Sequence, residues 1–140
     1  MSDTSPRPPM VITYEGGVKF AAQIRQHRLL VDQPARGGGE DSAPTPIELL
    51  GAALGTCVAF YVQQFCHSRN LPHQGMRVEV DPHGVPGRIG SFAVRVIMPE
   101  PLSPRDTELL ERVAHSCPAH NTLVHGATVA VSIEQPAAVA

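Results

Sequence analysis

Cys57, Cys66 and Cys117 are the three thiols of this 140-residue chain, and two of them stand where a thiol can do chemistry. Cys57 lies near the middle of "TPIELLGAALGTCVAFYVQQFCHSRN", residues 45–70, among small and apolar side chains. A free cysteine there has two readings: inert core filling, with a pKa raised by burial, or a nucleophile acting as its thiolate. Cys117, in "HSCPAHNTL", directly precedes a proline. Pro118 cannot continue a helix below it but can begin a new turn. Cys117 is then the N-cap of a short helix expected over residues 118–123, where backbone N–H groups and the dipole favour a thiolate. That is a route to reactivity which a mid-helix cysteine lacks. Two plainer readings compete: a small half-buried cap, or a zinc site built from Cys57, Cys117, His115 and His120. Structural zinc sites use tight C-x₂₋₄-C or H-x₃₋₅-H pairs, whereas His115 and His120 straddle a helix break, so no metal site is expected. His27, His67, His73, His83 and His125 form no motif and read as surface residues.

The element that must position Cys57 is one long helix. Thr45-Pro46-Ile47-Glu48 is a capping box with proline at N1, in which Thr45 accepts from the N3 amide and Glu48 reaches back to the Thr45 N–H. At about 100° per residue, Cys57 shares its face with Leu50, Ala53, Leu54, Phe60, Tyr61 and Gln64. The opposite face carries Glu48, Gly51, Ala52, Gly55, Ala59, Val62 and Cys66, small enough for another backbone to approach. Such a helix is expected to be enclosed on nearly all sides, and in a chain this short part of the cover points to a second subunit.

Around the helix, "MVITYE", "VKFAAQIR" and "HRLLVD" are three short strands separated by Gly16-Gly17 and by a polar turn at Gln26, an antiparallel meander. The Gly- and Pro-rich "QPARGGGEDSAPTP" is expected to be a flexible loop. "MRVEVDP" and "SFAVRVIMP" alternate apolar with polar residues, as two paired strands do. "SPRDTELLERVAHSC" opens with Ser103 as N-cap and Pro104 at N1 of a helix running to Ser116. "HGATVAVSIE" is expected as a final strand. The order is β-β-β-α-β-β-α-β, an α+β plan with the long central helix on antiparallel sheet. The expected organisation is a disordered N-terminal arm over residues 1–9, a single domain over 10–136 and a flexible tail over 137–140.

Composition excludes several classes. A net charge of −2 with scattered Lys and Arg provides no basic stripe for nucleic acid. Three cysteines without a signal-like N-terminus argue against a secreted disulfide scaffold and for a cytoplasmic protein. The apolar run Leu49 to Val62 is shorter than the roughly 20 residues of a membrane span, so no membrane association is expected. Fourteen Pro, twelve Gly, four Phe, two Tyr and no Trp imply many turns and a core with little aromatic bulk, a circumstance that favours oligomerisation.

Together, "PTPIELLGAALGTC" and "CPAH", with their cysteines sixty residues apart, resemble the OsmC/Ohr family of osmotically inducible protein C and organic hydroperoxide resistance proteins. The first is similar to the family's P-x-E-L-L-x-A-A-x-x-x-C helix and the second to its later Cys-Pro, with "LLVDQPARGGGEDSAP" and "GMRVEVDP" in family order; the resemblance covers about Val18 to Ile133. It implies an OsmC-like fold, an intertwined homodimer with active sites between subunits, and thiol peroxidase activity on organic hydroperoxides, with Cys57 as the peroxidatic and Cys117 as the resolving cysteine. It further implies an arginine near the thiolate, for which Arg36 is the first candidate and Arg28 the second, and a catalytic glutamate. In the peroxidase branches that glutamate lies ten residues before the first cysteine. Ile47 holds that place here and Glu48 lies nine before, about opposite Cys57 on the helix. This spacing places the chain nearer the less characterised OsmC-like branch.

The expected activity is therefore reduction of organic hydroperoxides through a Cys57 sulfenic acid, condensation with Cys117 to a disulfide, and reduction by an external dithiol, without a cofactor. The candidate catalytic residues are Cys57, Cys117, Arg36 and Glu48, with Leu50, Leu54, Phe60 and Tyr61 as apolar substrate walls. Two alternatives differ in class: a non-catalytic protein holding an apolar small molecule, and a thiol redox sensor.

Overall fold

A computed structural model describes residues 5–138; the first part of the expected N-terminal arm (residues 1–4) and the end of the expected tail (139 and 140) lie outside the described residues. In order, the elements are β1 (Val11–Gly16), β2 (Lys19–Ile24), β3 (His27–Val31), a 3₁₀ turn (Ala35–Gly37), α1 (Pro46–Ser68), β4 (Arg77–Val85), β5 (Arg88–Ile97), α2 (Pro104–Ala114) and α3 (Pro118–His125). The plan is α+β, with a three-stranded antiparallel sheet β1-β2-β3 and a two-stranded β4-β5 sheet. The chain divides into two compact units, one comprising the residues up to Ala53 with Val80–Ala93, the other Leu54–Glu79 with the residues from Val94 onward.

In the first unit, Gly16 and Gly17 take positive φ values of 103° and 57° to reverse the chain between β1 and β2. The register pairs Ile12 with Ala22 and Ala21 with Leu30, and Ala21 is buried. Val11, Ile12, Tyr14, Phe20, Leu29 and Leu30 are all at least 40% exposed. Much of this sheet's apolar surface is therefore left open among the described residues. The following loop is not free, contrary to the sequence expectation. Asp32, fully buried, accepts from the Gln33 N–H at 2.8 Å through Oδ1, and through Oδ2 from the N–H groups of Glu40 (3.2 Å) and Ser42 (3.0 Å) and the Ser42 hydroxyl (2.7 Å). The Asp32 N–H donates to the Pro44 carbonyl at 3.2 Å, which ties the loop's two ends together. Gly39 is required where the chain closes on itself, because a Cβ there would lie 1.8 Å from the Gln33 carbonyl oxygen. One buried carboxylate replaces flexibility with a pinned Ω-like loop.

The capping box of α1 forms as its sequence predicts. The Thr45 N–H donates to Glu48 Oε2 at 2.8 Å and the Glu48 N–H to Thr45 Oγ1 at 3.2 Å. At the other end Asn70 adopts φ 54°, with Leu71 N–H donating to the Cys66 carbonyl (2.9 Å) and Asn70 N–H to that of His67 (3.3 Å). This is a Schellman stop with Asn in place of Gly. Within the second unit Leu54, Val58, Val62 and Cys66 are buried, an i, i+4 ridge along the helix. In the first unit, Gly51 is buried facing Val80 and Phe92 of the hairpin, where a Cβ would make only ordinary contacts. The helix is 23 residues long and apolar enough by length and composition to cross a bilayer, which exceeds the shorter run read from sequence. Its buried ridge is the pattern of a core helix, which passes the same test.

The hairpin is longer than its two apolar runs suggested. β4 continues through Pro82 to Val85, and Pro86-Gly87 turns the chain with Gly87 at φ 79°. A two-stranded sheet gives every strand a free edge, where proline's missing N–H costs nothing. In the second unit Ser103 caps α2 through the Asp106 N–H (3.1 Å), and Leu110 packs inward. The helix stops at Ala114, two residues short of expectation. The expected final strand is the one element not formed: residues 126–138 carry no strand pairing, and Val129, Val131 and Ile133 are each more than 80% exposed. The alternation is that of a strand, but among the described residues nothing pairs with it.

Candidate active site

Cys57 and Cys117 belong to the same unit, and the two thiols lie close enough for Cys57 to act on the Cys117 proton. Cys57 is half-buried on α1, whereas Cys117 has no exposed surface. Cys117 is the N-cap of α3: its backbone is extended (φ −70°, ψ 141°), and its Sγ accepts the His120 N–H at 3.2 Å. Pro118 occupies N1, where no N–H is needed. Burial pushes the Cys117 thiol up, the His120 N–H pulls it down, and the hydrogen bond and charge of Cys57 push it up again. The net direction is upward from 9.0. Cys117 is therefore disposed to keep its proton at neutral pH.

The other sequence candidates divide between the units. Glu48 is exposed and committed to its cap, and Arg36 lies exposed in the 3₁₀ turn of the loop that Asp32 pins; both are in the first unit, as is Leu50, 40% exposed. In the second, Leu54 is buried, Phe60 is 58% exposed, and Tyr61 is half-buried and edge-on to Phe60 at 5.7 Å. The Cys57 side of α1 is thus more open in the single chain than its apolar sequence suggests. Cys66 is fully buried, its thiol pushed up by burial and then by the Asp106 carboxylate, an inert core position.

His115 and His120 stack edge to face, 5.1 Å between centroids. His115 Nδ1 donates to the Glu111 carbonyl at 2.7 Å, and among the described residues no three His, Cys, Asp or Glu side chains gather as metal ligands. Sequence reading missed Asp32 as an organising residue. Its signal was an acidic residue ahead of a Gly- and Ser-containing loop, which is common to many turns and specific to none.

A model of the OsmC-like protein family matches residues 38–132, a span that includes α1, Cys57, the hairpin and Cys117. The chain belongs to the OsmC-like family. The fold agrees across low sequence identity. A protein of Psychrobacter arcticus described as an osmotic stress induced and detoxification response protein is 18% identical, with a TM-score of 0.77 over 86% of this chain and 90% of that one. An OsmC like protein from Mycoplasma pneumoniae is also 18% identical, TM-score 0.65, over 86% and 89%. An organic hydroperoxide resistance protein, OsmC, from Legionella pneumophila is 21% identical, TM-score 0.55, over 83% and 89%. No curated protein matches the sequence. The OsmC-like match begins at Gly38, so the first three strands and Arg36 lie outside it, while the neighbours' coverage extends to most of the chain.

Proposed function

We propose that this OsmC-like protein is a cytoplasmic thiol peroxidase that reduces organic hydroperoxides with its own cysteines and no cofactor. The observation that carries the reading is the pairing of a half-buried Cys57 with a closed, proton-holding Cys117 capped by the His120 N–H. The name of the Legionella neighbour supports the peroxide substrate class. In the proposed cycle the Cys57 thiolate attacks the distal peroxide oxygen. The O–O bond breaks, the alkoxide takes a proton and leaves as alcohol, and Cys57 becomes a sulfenic acid. The Cys117 sulfur, giving up its proton, then displaces hydroxide as water to form the disulfide, which an external dithiol reduces. Leu54, Phe60 and Tyr61 supply apolar walls that favour an organic peroxide, with Leu50 a further candidate. The resemblance adds Arg36 as the cation favouring the thiolate, and Glu48 acts first as a cap. Stoichiometric cumene hydroperoxide is expected to produce a Cys57–Cys117 disulfide, detected by mass spectrometry of the alkylated digest. If both thiols remain titratable, the reading fails.

The proposed working form is a homodimer. Two observations support it: the exposed apolar side chains of the β1-β2-β3 sheet, and the unpaired strand pattern of Val129, Val131 and Ile133 among the described residues. Sedimentation of the full chain is expected to show a dimer, and truncation after Gly126 is expected to shift it to monomer or aggregate. A monomeric full chain, or a truncated chain that dimerises normally, would refute this.

A further inference from the structure

We propose that reduction of the Cys57–Cys117 disulfide is regiospecific, with the incoming thiolate attacking the sulfur of Cys57 and Cys117 departing as the leaving group. The inference rests on the two-cysteine reading above and adds which sulfur meets the reductant. Thiol–disulfide exchange proceeds by in-line displacement, so a nucleophile must approach the attacked sulfur from the side away from its partner. For Cys117 that side is its own surroundings: the residue has no exposed surface, and its Sγ is turned onto the His120 N–H in the first turn of α3. A second subunit can only remove exposure, so it cannot open this approach. Cys57 retains exposed surface, and any peroxide that reaches it needs that same access.

The leaving side is prepared as well. When the S–S bond breaks, its electron pair goes to Cys117 Sγ, which finds the His120 N–H at 3.2 Å waiting at a helix N-terminus. The Cys57 hydrogen bond and charge that push Cys117 up in the reduced protein are absent while Cys57 is held in the mixed disulfide. The nascent thiolate is therefore stabilised at the moment it forms, and afterwards takes a proton from solvent. With a dithiol reductant, its second thiolate attacks the reductant sulfur bonded to Cys57. The Cys57–reductant bond breaks, Cys57 leaves as thiolate, and the reductant departs as its own disulfide. Two electrons have passed from dithiol to protein.

The test begins with wild-type protein oxidised by diamide, so that it does not depend on peroxidase activity. Brief exposure to glutathione, acid quenching, alkylation with N-ethylmaleimide and digestion then report the fate of each sulfur. The two cysteines fall on different tryptic peptides, because Arg69 and Arg112 lie between them. The expected product carries glutathione on Cys57 and maleimide on Cys117, exceeding the reverse product by about tenfold or more at the earliest times. A majority of glutathione on Cys117 overturns the proposal while leaving the two-cysteine mechanism intact. Failure of diamide to form the Cys57–Cys117 disulfide overturns both.

Discussion

Cys57→Ser is expected to reduce turnover of cumene hydroperoxide by on the order of 10³-fold or more, the scale seen when the nucleophile of a concerted set is removed. Cys117→Ser should behave differently. The first half-reaction needs only the Cys57 sulfur, so this variant is expected to release one equivalent of alcohol per chain and then stop. Its Cys57 then persists as a sulfenic acid that traps with a cyclic 1,3-dione and, with excess peroxide, advances to sulfinic acid. Wild-type protein under the same conditions should show a disulfide and little trapped adduct. The asymmetry follows from geometry: Cys117 is closed off and keeps its proton, whereas Cys57 is half-buried. Single-turnover alcohol release followed by mass spectrometry of the two variants checks the assignment. If Cys57→Ser gives the one-equivalent burst and Cys117→Ser is inert, the roles are reversed.

What the sequence made legible was local. The Thr45 to Glu48 box specifies its own hydrogen bonds within four residues, and both form. The Cys-Pro pair specifies an N-cap in the same way, since a proline at N1 and an acceptor before it need no distant partner. Longer-range features were read less well. The loop after β3 looked flexible because Gly and Pro permit many conformations, and only the folded chain brings Glu40 and Ser42 back onto Asp32. The final strand was read correctly as a pattern and incorrectly as an element of this chain. Alternating Val129, Val131 and Ile133 encode a pleated surface, but a ladder also requires a neighbour, which a single sequence does not name. The enclosure of α1 was overestimated for the same reason: Leu50 and Phe60 are apolar but remain exposed in the single chain.

Asp32→Asn is expected to be the most damaging substitution away from the thiols, and its pH dependence identifies the cause. Asn keeps the shape and one acceptor, but its NH₂ replaces Oδ2 and faces the Glu40 and Ser42 N–H groups. Donors then meet a donor at a side chain with no exposed surface, and the Glu40 and Ser42 N–H groups lose their acceptor. A fall in Tm of roughly 10 °C at pH 7 is expected. The Ser42 hydroxyl and N–H, opposed by burial and followed by the backbone N–H groups of Gln33 and Glu40, hold the Asp32 carboxyl well below the usual carboxylate range. A carboxyl with a depressed folded-state pKa contributes stability that is fully present above its unfolded value, about 3.9, and is lost as pH falls through the folded one. The gap in Tm between wild type and Asp32→Asn should therefore be constant from pH 7 to about 5 and narrow below about 4. Other carboxylates titrate alike in both proteins and cancel in the difference. Thermal unfolding followed by circular dichroism across that range provides the comparison. Equal Tm values at pH 7, or a gap that does not narrow in acid, would show that the loop is held by something other than the Asp32 charge.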